Sequence, residues 1–85
     1  MTELIGESVF VQTLTNYFTG KIEEVGEKYL RLSSAAWIAD TGRLSDFLTS
    51  GKANEVEPFV SDVYVILANI TDVTAFNHPL PSKVQ

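Results

Sequence analysis

Few residues in this chain have both the type and the spacing for chemistry. Cysteine is absent, so there is no thiolate nucleophile, no disulfide framework and no Cys-ligated metal site. His78 is the one histidine, next to Pro79, and no cluster of partners surrounds it. A solvated tail residue is its ordinary reading, ahead of a catalytic or metal role. Glu23 and Glu24 are adjacent, so on a strand they point to opposite faces. That argues against a paired acid/base site. Asp40-Thr41-Gly42-Arg43 has the composition of a phosphate nest before a helix, although a capping turn explains it more simply. The sequence therefore predicts a non-enzymatic protein with no catalytic residue, no metal ligand and no cofactor.

What remains is suited to contact. Tyr17, Tyr29 and Tyr64 would make a stacking set, although half-buried strand tyrosines are commoner. Trp37 either anchors an interface or covers the protein's own core with Phe47. Asn69 either touches a base or forms a turn.

Charge narrows the partners. Eleven acidic residues against six basic ones give a net charge of −5. A protein that grips nucleic acid through its backbone normally carries surplus Lys and Arg to displace counterions. A local basic patch can still act against an acidic background. Eighty-five residues, 45% of them hydrophobic, suit one domain with a small core that oligomerisation would help. No apolar run has the length of a membrane span, and Met1-Thr2-Glu3-Leu4 lacks signal-peptide character. A cytoplasmic protein with no membrane partner is the expectation.

The elements that must position these residues are mostly strands. Val9 and Val11 alternate with Phe10 and Gln12, and many neighbours are β-branched or aromatic. Leu14 to Tyr17 is a tight turn in which Asn16 best tolerates φ > 0. A second strand runs from Tyr17 to Val25, with Gly20 marking a bend. Gly26-Glu27-Lys28 turns into a third strand, Tyr29 to Ser33, which Ser34 to Ile38 either continue or leave for a separate one. Leu44, Phe47 and Leu48 have helical spacing before Gly51, predicting one short helix over Arg43 to Ser50. Pro58 breaks structure again. Val63 to Leu67 is apolar on both faces, as in a strand buried on both sides or meeting a neighbouring subunit. A turn at Asn69 leads to a last strand, Ile70 to Ala75. Residues 77–85 are expected to be an extended, mobile tail.

This order resembles the Sm-like superfamily of Sm, LSm and Hfq-type small β-barrels. Gly6-Glu7-Ser8-Val9-Phe10-Val11, Gly20-Lys21-Ile22 and Leu30-Arg31-Leu32 are similar to its first motif. Val65-Ile66-Leu67-Ala68-Asn69-Ile70-Thr71-Asp72-Val73 is similar to its second. The likeness covers most of residues 4 to 76, on apolar spacing and two glycines. It implies a five-stranded bent-sheet barrel over residues 1–76, with a helical insertion at 39–61 between strands 3 and 4. It also implies a ring of six or seven copies, built by pairing the fourth strand of one copy with the fifth of the next. Val63, Val65, Leu67, Ile70 and Val73 would be the interface residues.

The resemblance further implies single-stranded RNA at the pore, contacted by Lys28, Tyr29 and Asn69. Here the chain departs from the family. Tyr29 stands in the first binding loop without the family's Asn. Leu67 replaces the Arg of an Arg-Gly-Asn turn, and the Lys-His pair of Hfq is missing. An acidic surface without that cation also fits a scaffold ring that binds protein partners, as in a phage or multiprotein assembly.

Overall fold

Val9 and Val11 on one side of a strand, with Phe10 on the other, set up a sheet with two apolar faces. The computed structural model describes residues 1–85. A 3₁₀ turn at Thr2–Leu4 precedes β1 (Ser8–Thr13), β2 (Tyr17–Val25), β3 (Tyr29–Asp40) and the helix α1 (Leu44–Ser50). Then follow β4 (Glu55–Pro58), β5 (Val63–Ile66), a 3₁₀ turn at Leu67–Asn69, and β6 (Ile70–Ala75). The strands form one antiparallel sheet in the order β4-β3-β2-β1-β6, and β5 pairs with β3. β3 is long enough to hold both partners. Tyr29 to Leu32 pair with β5, and Ala36 to Asp40 pair with β4.

Each face carries its own core. The inner one gathers Val9, Val11, Ile22, Leu30, Leu32, Ala35 and Val65, with Val63, Leu67, Ile70 and Val73 packed against it. Its members come from β5 and β6 as well as the strands between, so the sheet curls around it. The outer core gathers Phe10, Ala36, Ile38, Phe47, Val56 and Phe76. Phe47 of α1 closes it, edge-on to Phe10 at 5.1 Å and stacked on Phe76 at 5.4 Å.

A β-bulge sets the curl. Thr19 lies opposite Ala36 and Lys21 opposite Ser33, so β3 uses one residue more than β2. Ser34 has φ of 47°, the left-handed region that marks the first residue of one bulge type. The extra residue reverses the alternation, so that Leu30 and Leu32 face inward with Ala35, while Ala36 and Ile38 face outward. Gly20 sits against this bulge. A Cβ there would lie 3.0 Å from the Leu32 Cβ and 3.2 Å from the Ser33 carbonyl oxygen. Its side-chain vacancy lets two strands close up where they bend.

Several expectations need correcting. The structure is mainly β, with an antiparallel sheet and a helix after β3, but it has six strands and the sheet does not close. The additional strand, β4, lies inside the 39–61 insertion. Pro58 does not prevent it, because Pro58 is its last residue. Residues 34–40 continue β3. The β1–β2 turn is held by Thr13, whose hydroxyl accepts from the Asn16 amide and donates to the Asn16 carbonyl, each at 2.9 Å. Asn16 has no positive φ. Asp40 closes a turn by accepting from the Gly42 amide at 2.8 Å, whereas the N-cap of α1 is Arg43. Residues 77–85 are extended but docked. The half-buried His78 bonds through Nε2 to the Leu48 carbonyl at 2.8 Å. Gln85 exchanges two backbone bonds with Val56. His78 is thus not a solvated tail residue: it fastens the tail to the end of α1.

Candidate functional site

The two segments singled out for ligand contact meet. The Leu67 amide donates to the Lys28 carbonyl at 2.9 Å, and Tyr29 lies opposite Ile66. Lys28 and Asn69 are both exposed, Lys28 in the β2–β3 turn and Asn69 beside Leu14 of the β1–β2 turn. Tyr29 is half-buried, and its ring lies over Gly26, where a Cβ would come within 2.5 Å of it. Its hydroxyl donates to Glu24 Oε2 at 2.9 Å, and its ring meets Tyr64 edge-on at 5.2 Å.

Arg31 completes this network. Its Nε donates to Glu24 Oε1 at 3.1 Å and a terminal nitrogen donates to Asp62 at 2.7 Å. The Tyr29 hydroxyl, then Arg31, hold the Glu24 carboxyl below its ordinary range. Glu24 in turn holds the Tyr29 phenol above its own. Arg31 therefore presents little free positive charge, and Tyr29 has its hydroxyl and one ring face occupied. Asn69 is freer. It borders a shallow cavity of about 190 Å³ with Thr13, Asn16, Phe18, Tyr64 and Ile66. Its backbone carbonyl accepts from the Leu14 amide at 3.0 Å.

The residues expected to form an interface pack at least partly against the inner core. Val65 is buried, and Val63, Leu67, Ile70 and Val73 pack half-buried against the inner core. What β5 presents outward is Tyr64 and Ile66, 58% and 50% exposed. The alternation in Val63-Tyr64-Val65-Ile66 carried that signal, hidden because both sets are apolar. β5 has only β3 as a neighbour and β6 only β1, so each leaves one backbone edge unpaired.

A second surface centres on Trp37. Trp37 lies opposite both Phe18 and Glu57, making one row across β2, β3 and β4. Trp37 is 40% exposed and Phe59, 43% exposed, packs on Phe18 at 6.1 Å. Trp37 thus lies on the face away from Phe47 and does not help it cover the outer core. Glu55 and Glu57 flank the buried Val56 and share the Trp37 face. Neither carboxylate has an ion-pair partner, since the salt bridges involve only Glu3, Glu24, Arg31, Asp62 and the N-terminus.

The largest cleft, about 460 Å³, runs between the tail and the β3 bulge. Ser34 and His78 both line it, but the Nε2 of His78 is committed to Leu48. No family model matches this chain, and no curated protein sequence matches it.

Proposed function

We propose that this chain is a non-enzymatic assembly module, a divergent Sm-like small barrel whose copies complete one another's sheets in a ring. The observation that carries the reading is the pair of unpaired edges, β5 and β6, separated only by the turn Leu67–Asn69. Unpaired edges invite strand addition, and cyclic association removes them. Exposed Tyr64 and Ile66 beside one edge add apolar area that a neighbour would cover. The strand order, with the last strand returning to β1, supports the resemblance noted in the sequence.

Protein is the client that the charges favour. Tyr29 is tied to Glu24, and Arg31 is neutralised by two carboxylates. Lys28 is then the cation left at the end where RNA would be held, on a chain of net charge −5. Single-stranded RNA stacked on Tyr29 and bonded by Asn69 is the other reading, favoured by the contact of Lys28 and Tyr29 with the segment Ile66–Leu67 that leads to Asn69.

Native mass spectrometry tests the assembly. A closed oligomer of six or seven copies is expected, and a monomer at micromolar concentration overturns the ring. Titration with short U-rich and A-rich RNA at low salt tests the client. Binding that Tyr29→Ala and Asn69→Ala both weaken would replace the protein reading with RNA.

A further inference from the structure

The Trp37 face combines exposed aromatic rings with two unpaired carboxylates, whereas Glu24 and Asp62 at the Tyr29 end are bound to Arg31. Phe18, Trp37 and Glu57 form one cross-strand row, Phe59 extends its aromatic part, and Val60 beside it is fully exposed. Glu55 and Glu57 sit two residues apart on one strand and one face, hence about 6.6 Å apart along it. Alternate side chains of an extended peptide repeat at the same interval. A guanidinium stacks flat on an indole and takes a carboxylate in a two-pronged bond, which an ammonium does not.

We infer that the face formed by Phe18, Trp37, Glu55, Glu57 and Phe59 docks an extended basic peptide, with arginines at alternating positions. One arginine lies on Trp37 against Glu57, and the next reaches Glu55. Charge complementarity selects this occupant, because both carboxylates are unpaired within the chain. The inference names the partner class for the protein-client reading. It does not depend on ring formation, because every residue in it belongs to one copy.

Trp37 is the only tryptophan, so its emission reports the contact directly. The probe is an acetylated, amidated peptide of three Arg-Gly repeats, titrated into the full chain at low salt. Its Asp-Gly and Lys-Gly counterparts serve as comparisons. The expected result is a saturable change in Trp37 emission with the Arg peptide, weaker binding of the Lys peptide and none of the Asp peptide.

Glu57→Gln should weaken Arg-peptide binding about threefold, the scale of an exposed ion pair with a stacked cation. Asp46→Asn removes the same charge from α1, on the opposite side of the sheet, and should leave binding within a factor of about 1.5. Equal weakening by the two variants would reduce the effect to general attraction by an acidic protein and overturn the site. So would an unchanged Trp37 emission at millimolar peptide. The oligomeric state is measured on the same sample without peptide, so failure of the ring and failure of this site are separate results.

Discussion

The two cores on this one sheet are finished in different ways. The inner core is closed by curvature, and its strands β5 and β6 end in unpaired edges. The outer core is closed by the chain itself, with Phe47 from α1, Phe76 just after β6 and Leu80 from the tail laid over Phe10, Ile38 and Val56. The outer face is therefore self-sufficient where α1 covers it, while the inner core's sheet leaves edge backbone groups without a partner strand. An 85-residue chain has little core to spare. The helix and tail give this one a second core that is independent of any neighbour.

The strongest way to break this comparison is to empty the outer core. Phe47→Ala removes a fully buried ring that touches two other aromatic rings. It should cost about 3–5 kcal/mol, a large share of the total stability of a small domain. Urea denaturation would show it, with the loss independent of protein concentration. A concentration-dependent loss would mean that the outer core also draws on a neighbour, and the contrast between the faces would fail.

Next in size is the bend that both cores share. Gly20→Ala places a methyl against the Leu32 Cβ and the Ser33 carbonyl oxygen, one of them backbone that cannot turn aside. A cost of about 1–3 kcal/mol is expected, as for other overpacked sites. Urea titration with an unchanged midpoint would show that the strands can separate there without loss, and that the curl does not depend on Gly20.

These positions differ in how far the sequence reveals them. β1, β2 and the first half of β3 were legible because Val9, Val11, Ile22, Leu30 and Leu32 keep period two. β4 was hidden because it has four residues and ends in proline. The face of Trp37 could not be deduced, since the bulge at Ser34 shifts every later residue by one, and serine does not announce a left-handed backbone as glycine would. The meeting of Lys28 and Tyr29 with the Ile66–Leu67 segment follows from the β3–β5 pairing, which joins residues far apart in sequence. The bonding of Tyr29 to Glu24, and of Arg31 to Glu24 and Asp62, depends on the β2–β3–β5 register, which spacing alone does not determine.

A smaller effect of opposite sign comes from Thr19. It is fully buried on β2 between Phe10 and Ala36, and no protein group lies within hydrogen-bonding reach of its hydroxyl. A buried donor without a partner costs stability, and an apolar replacement of the same shape removes that cost. Thr19→Val should raise stability by about 1 kcal/mol, read as a higher urea midpoint with an unchanged slope. A lower midpoint would show that the hydroxyl is satisfied after all.

The smallest effect concerns the part of the outer face that α1 does not cover, where Glu24, Tyr29 and Arg31 take its place. Because Glu24 titrates below its ordinary value in the folded protein, its contribution is present above the unfolded carboxylate pKa of about 4.3. That contribution is lost as pH falls through the lower, folded value. Tyr29 titrates above its ordinary value, so its share of the same bond holds below about pH 10 and is lost as pH rises through the raised value. Glu24→Gln should therefore lower the thermal midpoint at pH 7, with the gap to the parent closing at the acid end and narrowing at the alkaline end. Both side chains are partly solvated, so the gap is small. A gap constant from pH 7 down to pH 2 would mean that the Glu24 contacts stabilise through shape rather than charge. The neutralisation of Arg31, and with it the argument against RNA at this end, would then lose its support.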